Sequence, residues 1–265
     1  MSTATIESNK VLSAEEIEQI VAEFHREGCL VVPGVLSPEE CAALRERTDE
    51  LVESVPEDQI YNQIVLREVA AKDALFRDVL VRAPILDLAQ AVLGDDCRYC
   101  GSNVIRNGPG QAISNWHVDL GNIVEFPLPP DVPRHDPRIT VPVQWMTVQV
   151  ALSDIETIED GPTQFVPGSH YSGRLPGSQE NPEFEGRGAV SVFCKAGDIY
   201  LTNHQNWHRG APKTSDGLRY IMQLQYGMNW AASRFDGAMT EAVAADMRQN
   251  GDSGEALLQL LGKSL

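Results

Sequence analysis

A histidine and an aspartate two residues apart are the first candidates for chemistry in this chain. They are His117 and Asp119, within the stretch SNWHVDLGN at residues 114–122. On an extended strand, alternate side chains point to the same face, so this pair would point one way and Val118 the other. Two ligands alone hold a divalent ion weakly. The pair therefore predicts a metal site only if a third ligand comes from elsewhere in the chain.

The third ligand is expected from one of the chain's six histidines. His208 follows the β-patterned segment DIYLTN and is the best candidate. Two neutral imidazoles and one carboxylate suit Fe(II) and leave adjacent positions open for a cosubstrate and dioxygen. Zinc favours more nitrogen or sulfur ligands, and calcium favours several carboxylates. The predicted metal ligands, which are also the predicted catalytic residues, are His117, Asp119 and His208.

An arginine follows the second histidine at the start of another β-patterned segment. Arg219 opens RYIMQLQY, eleven residues after His208. Its planar guanidinium can donate two parallel hydrogen bonds to a carboxylate, which a lysine cannot reproduce. We therefore expect Arg219 to bind a carboxylate, which implies a dicarboxylate cosubstrate.

Charge and composition narrow the classes of partner. The 265 residues contain 21 Lys and Arg against 38 Asp and Glu, a formal charge of −17, which disfavours nucleic acid and anionic membrane surfaces. Five scattered cysteines suggest no disulfide framework and fit a reducing compartment. The chain shows neither an apolar leader nor 18 consecutive apolar residues. We expect a soluble cytoplasmic protein, a monomer or homodimer, that acts on a small molecule.

The elements that must position these residues change character near residue 96. Before it, capping boxes at Ser13 and Ser37 predict two helices, and a third helical region follows at about 73–93. After it, short β-patterned segments alternate with turn residues, which predicts a mainly β sandwich or jelly roll with flanking helices. These segments are CRYCGSNVIR, AISNWHVD, WMTVQVALSD, TQFVPG, AVSVF, DIYLTN and RYIMQLQYGMN.

The expected organisation is a single domain over residues 1–265. Residues 1–95 would form a mostly helical support, 96–230 the jelly-roll core and 231–265 a helical tail. Within the core, WMTVQVAL places Gln149 on the polar face of an alternating strand, where that face can line a site.

Three segments together resemble the phytanoyl-CoA dioxygenase family of Fe(II)/2-oxoglutarate oxygenases. They are WHVD, DGPTQFVPGSH at 160–170, and GDIYLTNHQNWHRGAPKTSDGLR at 197–219. The N-terminal stretch EFHREGCLVVPGVLSPEECAALR also resembles that family's opening helix, strand and helix. The resemblance covers about residues 12–230, most of the chain.

The resemblance implies a cupin-like double-stranded β-helix of two antiparallel sheets. It implies Fe(II), O2 and 2-oxoglutarate as cofactor and cosubstrates, with Arg219 on the distal carboxylate of 2-oxoglutarate. Thr163, by its place in GPTQFVPGSH, and Gln149 are the further candidates for cosubstrate binding. The sequence departs from the family at Asn107, where many members carry a lysine, and at Gly210, where a serine is frequent.

The same resemblance implies oxidation of a substrate with release of succinate and CO2. Hydroxylation is the expected outcome, with desaturation, epimerisation or cyclisation as alternatives. Halogenation is disfavoured because Asp119 is present where related halogenases carry a small residue. The Pro-rich loop at 120–142, with Phe126, Leu128 and Pro129, predicts a moderately apolar substrate, and a role in secondary-metabolite biosynthesis is plausible.

Two other function classes remain open at this point. A non-oxygenase divalent-metal enzyme on a cupin-like barrel, such as an isomerase or hydrolase, would use the same three ligands. It would not require Arg219. A catalytically silent binding module is the third class, disfavoured because every expected ligand is intact.

Overall fold

The structure is a computed structural model, and it describes most of the chain. The described residues are 11–54, 63–110, 113, 115–119, 128–136, 138–178, 180–232 and 254–262. Two antiparallel sheets with helices on one side make up the fold, a double-stranded β-helix as predicted.

The α-helices of the described ranges lie mainly in the first third of the chain. They are α1 (Ala14–Glu27), α2 (Pro38–Glu53), α3 (Val69–Lys72), α4 (Ala74–Leu80), α5 (Ile85–Leu93), α6 (Asn229–Ala232) and α7 (Gly254–Leu260). Both predicted capping boxes form, at Ser13 and at Ser37. Helix α1 ends at Gly28, whose φ of 81° is a left-handed conformation that glycine adopts without strain.

The strands form one large and one small sheet. They are β1 (Cys29–Val32), β2 (Gln63–Arg67), β3 (Arg98–Asn107), β4 (Trp145–Ala151), β5 (Thr163–Phe165), β6 (Val190–Ser191), β7 (Ile199–Asn203), β8 (His208–Gly210) and β9 (Arg219–Gly227). The large sheet has the order β1-β7-β4-β9-β3-β2 and the small sheet the order β6-β5-β8. All of these pairings are antiparallel.

The main hydrophobic core lies between the helices and the outer face of the large sheet. Met146, Val148 and Val150 of β4 belong to it, together with side chains from α1, α2, α4 and α5. The alternation of β4 then turns Gln149 toward the inner face, between the two sheets, as the sequence predicts. The helices therefore support the sheet from behind and leave its inner face for the site.

The N-terminal third contributes more than helices. Strand β1 forms one edge of the large sheet, beside β7, and β2 forms the opposite edge, beside β3. The sequence-based division into a helical support, a core and a tail remains a prediction, and of the predicted tail only 231–232 and 254–262 are described. All five cysteines are free and buried. None of the helices in the described ranges is long and apolar enough to cross a membrane.

One predicted strand is wrong in its extent. Of the segment AISNWHVD, residues 113 and 115–119 are described, and among them only His117 pairs, through an isolated bridge. The flanking Trp116 and Val118 are buried in an aromatic cluster with Trp207 and Tyr171. Isolated backbone hydrogen bonds at Ile113, His117 and Asp119, together with this side-chain packing, therefore hold the segment in place without a continuous ladder.

Candidate metal centre and cosubstrate pocket

The two predicted histidine ligands lie opposite each other on adjacent stretches of backbone. His117 and His208 form an antiparallel bridge in which each amide N–H donates to the other's carbonyl at 3.0 Å. The amide of Asp119 donates to the carbonyl of His204 at 3.0 Å, which ties it to the turn that precedes β8. Residues distant in sequence are thus fixed beside one another by backbone hydrogen bonds.

The three side chains converge on one point. Asp119 Oδ1 lies 3.8 Å from His117 Nε2 and 3.6 Å from His208 Nε2. One ligand atom from each residue lies within 4.8 Å of the others. Two atoms that each bind one ion at roughly 2.1 Å are at most about 4.2 Å apart, so both measured distances fit a shared ion. The donor set of two imidazoles and a carboxylate fits a ferrous ion.

Hydrogen bonds set the orientation of both imidazoles. His117 Nδ1 donates to the carbonyl of Asn115 at 2.8 Å, and His208 Nδ1 donates to the carbonyl of Asn206 at 2.9 Å. Because a carbonyl only accepts, the proton of each neutral ring sits on Nδ1 and Nε2 keeps its lone pair. Burial and the neighbouring His208 lower the pKa of His117, which favours the neutral form that binds metal.

The remaining predicted site residues line the same cavity. This cavity has a volume of about 260 Å³, and its walls include all three triad side chains as well as Arg219, Thr163 and Gln149. Arg219 is at the start of β9, Thr163 at the start of β5 in the opposite sheet, and Gln149 in the middle of β4. The structure therefore brings together all six residues that the sequence analysis selected.

Arg219 is buried, and two of its side-chain nitrogen atoms are unpaired within the part of the chain that the structure describes. Its side chain is only 6% exposed, and Nε and Nη1 have no hydrogen-bond partner among the described residues. Burial lowers the pKa of Arg219, yet a guanidinium keeps its charge in proteins. A buried, unsatisfied cation is costly unless a ligand pairs with it. A carboxylate of 2-oxoglutarate fits this requirement.

The structure adds Tyr200, which the sequence analysis did not select. Its hydroxyl lies 2.9 Å from Thr163 Oγ1, it stands opposite Gln149 in the β4–β7 register, and its side chain is 1% exposed. Burial raises the pKa of Tyr200, so the phenol stays protonated and can donate a hydrogen bond. The alternation of DIYLTN could have placed it on the inner face, but only the pairing with β4 shows what it faces.

The other walls are more polar than the expectation of a moderately apolar substrate implies. They include Arg67, Asn103, Gln223, Gln225 and Arg209. Of the residues on which that expectation rested, the two that the structure describes, Leu128 and Pro129, do not line the cavity. Leu128 and Pro129 lie in the described part of the 120–142 loop, which Arg174 anchors through the carbonyls of Pro129 and Val132, and Phe126 is outside the described residues.

The nearby histidines outside the triad have structural contacts. His170 Nε2 donates to the carbonyl of His25 at 2.8 Å, and His204 Nδ1 donates to that of Trp145 at 2.7 Å. Both are buried, at 2% and 4% exposure. Neither belongs to the one ligand cluster found among the described residues. His170 therefore links the turn that contains it to helix α1.

Sequence comparison identifies a family over most of the chain. The family model described as phytanoyl-CoA dioxygenase (PhyH) matches residues 24–221. The chain is 28% identical over 168 residues to dioxygenase af480 of Aspergillus fumigatus, a match that covers 60% of this chain and 49% of that protein. It is 22% identical over 204 residues to the multifunctional dioxygenase prhA of Penicillium brasilianum, covering 72% and 65%. The chain thus matches less than two thirds of each relative's length.

Solved structures share the fold. HygX from Streptomyces hygroscopicus, solved with nickel and 2-oxoglutarate, aligns with a TM-score of 0.64 at 22% identity and covers 83% of this chain and 89% of that one. SnoN, an epimerase of nogalamycin biosynthesis that is described as non-heme and alpha-ketoglutarate dependent, aligns with a TM-score of 0.62 at 21% identity and covers 82% and 84%. At this level of identity the likeness establishes the fold.

Proposed function

The chain belongs to the phytanoyl-CoA dioxygenase family, and from that premise we propose that it is an Fe(II)/2-oxoglutarate-dependent dioxygenase acting on a small organic molecule. The observation that carries the proposal is the convergence of His117, Asp119 and His208 beside a buried, unsatisfied Arg219 in one cavity. The ligand triad by itself fits several metal enzymes. Its combination with the buried arginine fits an oxygenase that needs a keto diacid.

The triad's task in this proposal is to hold iron with part of its coordination sphere open. Asp119 supplies one negative charge, and the two Nε2 atoms supply neutral donors. When bound, Fe(II) and 2-oxoglutarate supply an oxidation by O2 in which 2-oxoglutarate becomes succinate and CO2 and one oxygen atom reaches the substrate. The Nδ1 hydrogen bonds keep both imidazole rings in place throughout.

Arg219 binds the distal carboxylate of 2-oxoglutarate in this proposal. Thr163 supplies a neutral donor on the small-sheet side of the cavity, and its hydroxyl lies 2.9 Å from that of the buried Tyr200, which positions it. Gln149, 8% exposed on β4, supplies an amide to the same space. A charged fork with neutral donors recognises a carboxylate and fixes its orientation.

We propose hydroxylation as the outcome and a tailoring role in secondary metabolism as the setting. Relatives support the setting, since SnoN and SnoK are described from nogalamycin biosynthesis and HygX has been solved with hygromycin B bound. SnoN is described as an epimerase and SnoK as a carbocyclase. Product analysis must therefore look for epimers and rings as well as alcohols.

A non-oxygenase metal enzyme, the alternative function, would not explain the buried Arg219. An isomerase or hydrolase would need the triad but no cation buried beside it. Arg219 would then be a buried charge that destabilises the fold without function. The proposed function accounts for both features at once.

The proposal is tested by adding Fe(II) and then 2-oxoglutarate to the protein without oxygen. A keto acid that chelates ferrous iron gives a weak visible charge-transfer band. We expect this band in the wild-type protein, its loss in Asp119→Ala and its weakening in Arg219→Ala. Iron-loaded, folded wild-type protein without the band would exclude the proposed function.

A further inference from the structure

A row of polar side chains crosses the inner face of the large sheet. Pairing in register places Tyr200 opposite Gln149, Gln149 opposite Gln223, Gln223 opposite Asn103, and Asn103 opposite Arg67. Directly paired residues of antiparallel strands share a face, so the row is continuous across five strands. Four of its members line the cavity described above, all except Tyr200. We call these five residues the polar row.

The row ends in a cation that has no counterion. Arg67 is the last residue of β2, the edge strand, and its side chain has no hydrogen-bond or ion-pair partner among the residues that the structure describes. Arg106, on the neighbouring strand β3, is instead paired with Asp49 at 2.8 Å. Arg67 is also exposed, so water solvates its charge until a ligand arrives.

The whole cavity carries an excess of positive side chains. Among the residues that the structure describes, three arginines line it, Arg67, Arg209 and Arg219, against one carboxylate, that of Asp119. Arg209 is held in place, because its Nε donates to Gln164 at 2.8 Å and its guanidinium lies 4.7 Å from the centre of the Trp116 ring. In a protein with a formal charge of −17, this is a local reversal of sign. Such a cavity attracts an anion.

The side-chain amides of Asn103 and Gln223, in the middle of the polar row, can form hydrogen bonds with a ligand that lies along the row. Asn103 Nδ2 donates to Gln223 Oε1 at 3.4 Å, and both side-chain amides keep further donor and acceptor capacity for a ligand. Three strand spacings separate Gln149 from Arg67, roughly 14 Å at about 4.8 Å each. A ligand that lies along the polar row from Gln149 to Arg67 is therefore extended and polar.

We propose that the substrate is an anion whose carboxylate or phosphate group binds Arg67, with its uncharged part held along Asn103 and Gln223. The inference rests on the proposed function, because it assigns Arg219 to 2-oxoglutarate and leaves Arg67 for the substrate. Arg67 then determines specificity at the far end of the cavity and takes no part in binding iron or cosubstrate.

The test uses matched acids and neutral analogues on the Zn(II)- and 2-oxoglutarate-loaded protein. The pairs are benzoate with benzamide, hexanoate with hexanamide, and phenyl phosphate with phenol, and binding is measured by ligand-observed NMR. We expect the acid of at least one pair to bind about tenfold more tightly than its partner in the wild type. Arg67→Gln should reduce the preference to within about twofold, and Arg67→Lys should retain part of it.

Arg26→Gln is the matched control, since it removes the same charge from an arginine of α1 that is 63% exposed. It should keep the full acid preference. A preference confined to phenyl phosphate would assign a phosphorylated substrate, and one shown by the carboxylates a carboxylic acid. No acid preference in any pair, or a preference unchanged in Arg67→Gln, would overturn the proposal.

Binding of 2-oxoglutarate is measured first in the same samples, which separates the two conclusions. If 2-oxoglutarate fails to bind the Zn(II)-loaded protein, the proposed function falls, and this inference with it. If it binds normally but acids show no advantage, only the assignment of Arg67 to the substrate falls.

Discussion

The two ends of the cavity are built in different ways. At the metal end, His117 and His208 already have their Nδ1 atoms bonded to backbone carbonyls. At the edge end, Arg67 has no partner among the described residues and is exposed. One end is organised before any ligand arrives, and the other is organised by the ligand. This difference is expected where a fixed reaction is combined with a substrate that varies between relatives.

The largest expected effect comes from breaking the metal end. Asp119→Ala removes one of three ligands and should lower the affinity for Mn(II), used as an air-stable probe of the iron site, by at least about hundredfold. Calorimetric titration measures this directly. Asp136→Ala removes a carboxylate that pairs with the surface residue Arg138, and it should leave the affinity unchanged. Equal affinities in the two variants would mean that Asp119 is not a ligand.

The next effect separates the cosubstrate position from the metal. Arg219→Ala and Arg219→Lys should each lower the affinity of the Mn(II)-loaded protein for 2-oxoglutarate, by about hundredfold for alanine and nearly as much for lysine. Mn(II) affinity should stay as in the wild type. Full 2-oxoglutarate affinity in the lysine variant would show that a point charge suffices and that the paired hydrogen bonds are absent.

A smaller effect is expected on stability when the packing around Asn206, behind the proposed metal ligand His208, is disturbed. Gly28 has φ +81°, and a Cβ there would lie 2.6 Å from His170 Nδ1 and 2.8 Å from Asn206 Cγ, on the residue whose carbonyl orients His208. Gly28→Ala should lower the free energy of unfolding by about 3 kcal/mol. Gly34 has φ +68° with nothing within 4 Å of its Cβ position.

Gly34→Ala is the matched control for that measurement. Alanine there has the same strain from a positive φ but meets no neighbouring atom, so the free energy of unfolding should fall by only about 1 kcal/mol. Denaturant unfolding of both variants gives the difference. Equal losses of unfolding free energy in the two variants would show that His170 and Asn206 can shift to accommodate the added methyl group, and that packing around Gly28 is not rigid.

The smallest effect is a pH dependence of stability from His170. Burial lowers its pKa to about 4, below the value of 6.5 for an unfolded histidine. The unfolded chain therefore binds a proton more readily than the folded protein does. The stability that comes from neutral, buried His170 is fully present above pH 6.5 and is lost as pH falls toward 4. The expected loss by pH 5.5 is about 1 kcal/mol.

His170→Gln tests this contribution because glutamine can still donate to the carbonyl of His25 but does not titrate. The difference in unfolding free energy between wild type and variant should shrink as pH falls from 7 to 5. A difference that stays constant with pH would contradict the assigned pKa. Other buried histidines, such as His204, titrate in both proteins and cancel in the comparison.

Much of the fold follows from local sequence signals. The capping boxes at Ser13 and Ser37 fixed the starts of α1 and α2, and the alternation in WMTVQVAL predicted which face of β4 is buried. Strands β2 and β8 were not predicted. QIVLR is a short run without clear alternation, HRG is polar, and each forms only because a partner distant in sequence pairs with it.

The candidate site also contains residues that local sequence signals indicate and residues that only strand pairing brings to it. His117, Asp119, His208 and Arg219 lie in stretches whose residue types and spacing indicate chemistry, and the structure brings them together. The contributions of Tyr200, Asn103, Gln223 and Arg67 depend instead on which strands are neighbours and in which register. The pattern of one strand does not contain that information. The residues that we assign to the substrate, Asn103, Gln223 and Arg67, are therefore less apparent from the sequence than those of the shared chemistry.

The most direct test of the central claim is a crystal structure of the protein with Mn(II) and 2-oxoglutarate, grown without oxygen. We expect one ion bound by Nε2 of His117, Nε2 of His208 and a carboxylate oxygen of Asp119, each at about 2.0–2.3 Å. The distal carboxylate of 2-oxoglutarate should accept two hydrogen bonds from Arg219. An ion held by fewer than these three side chains, or a cosubstrate carboxylate that does not contact Arg219, would contradict the account.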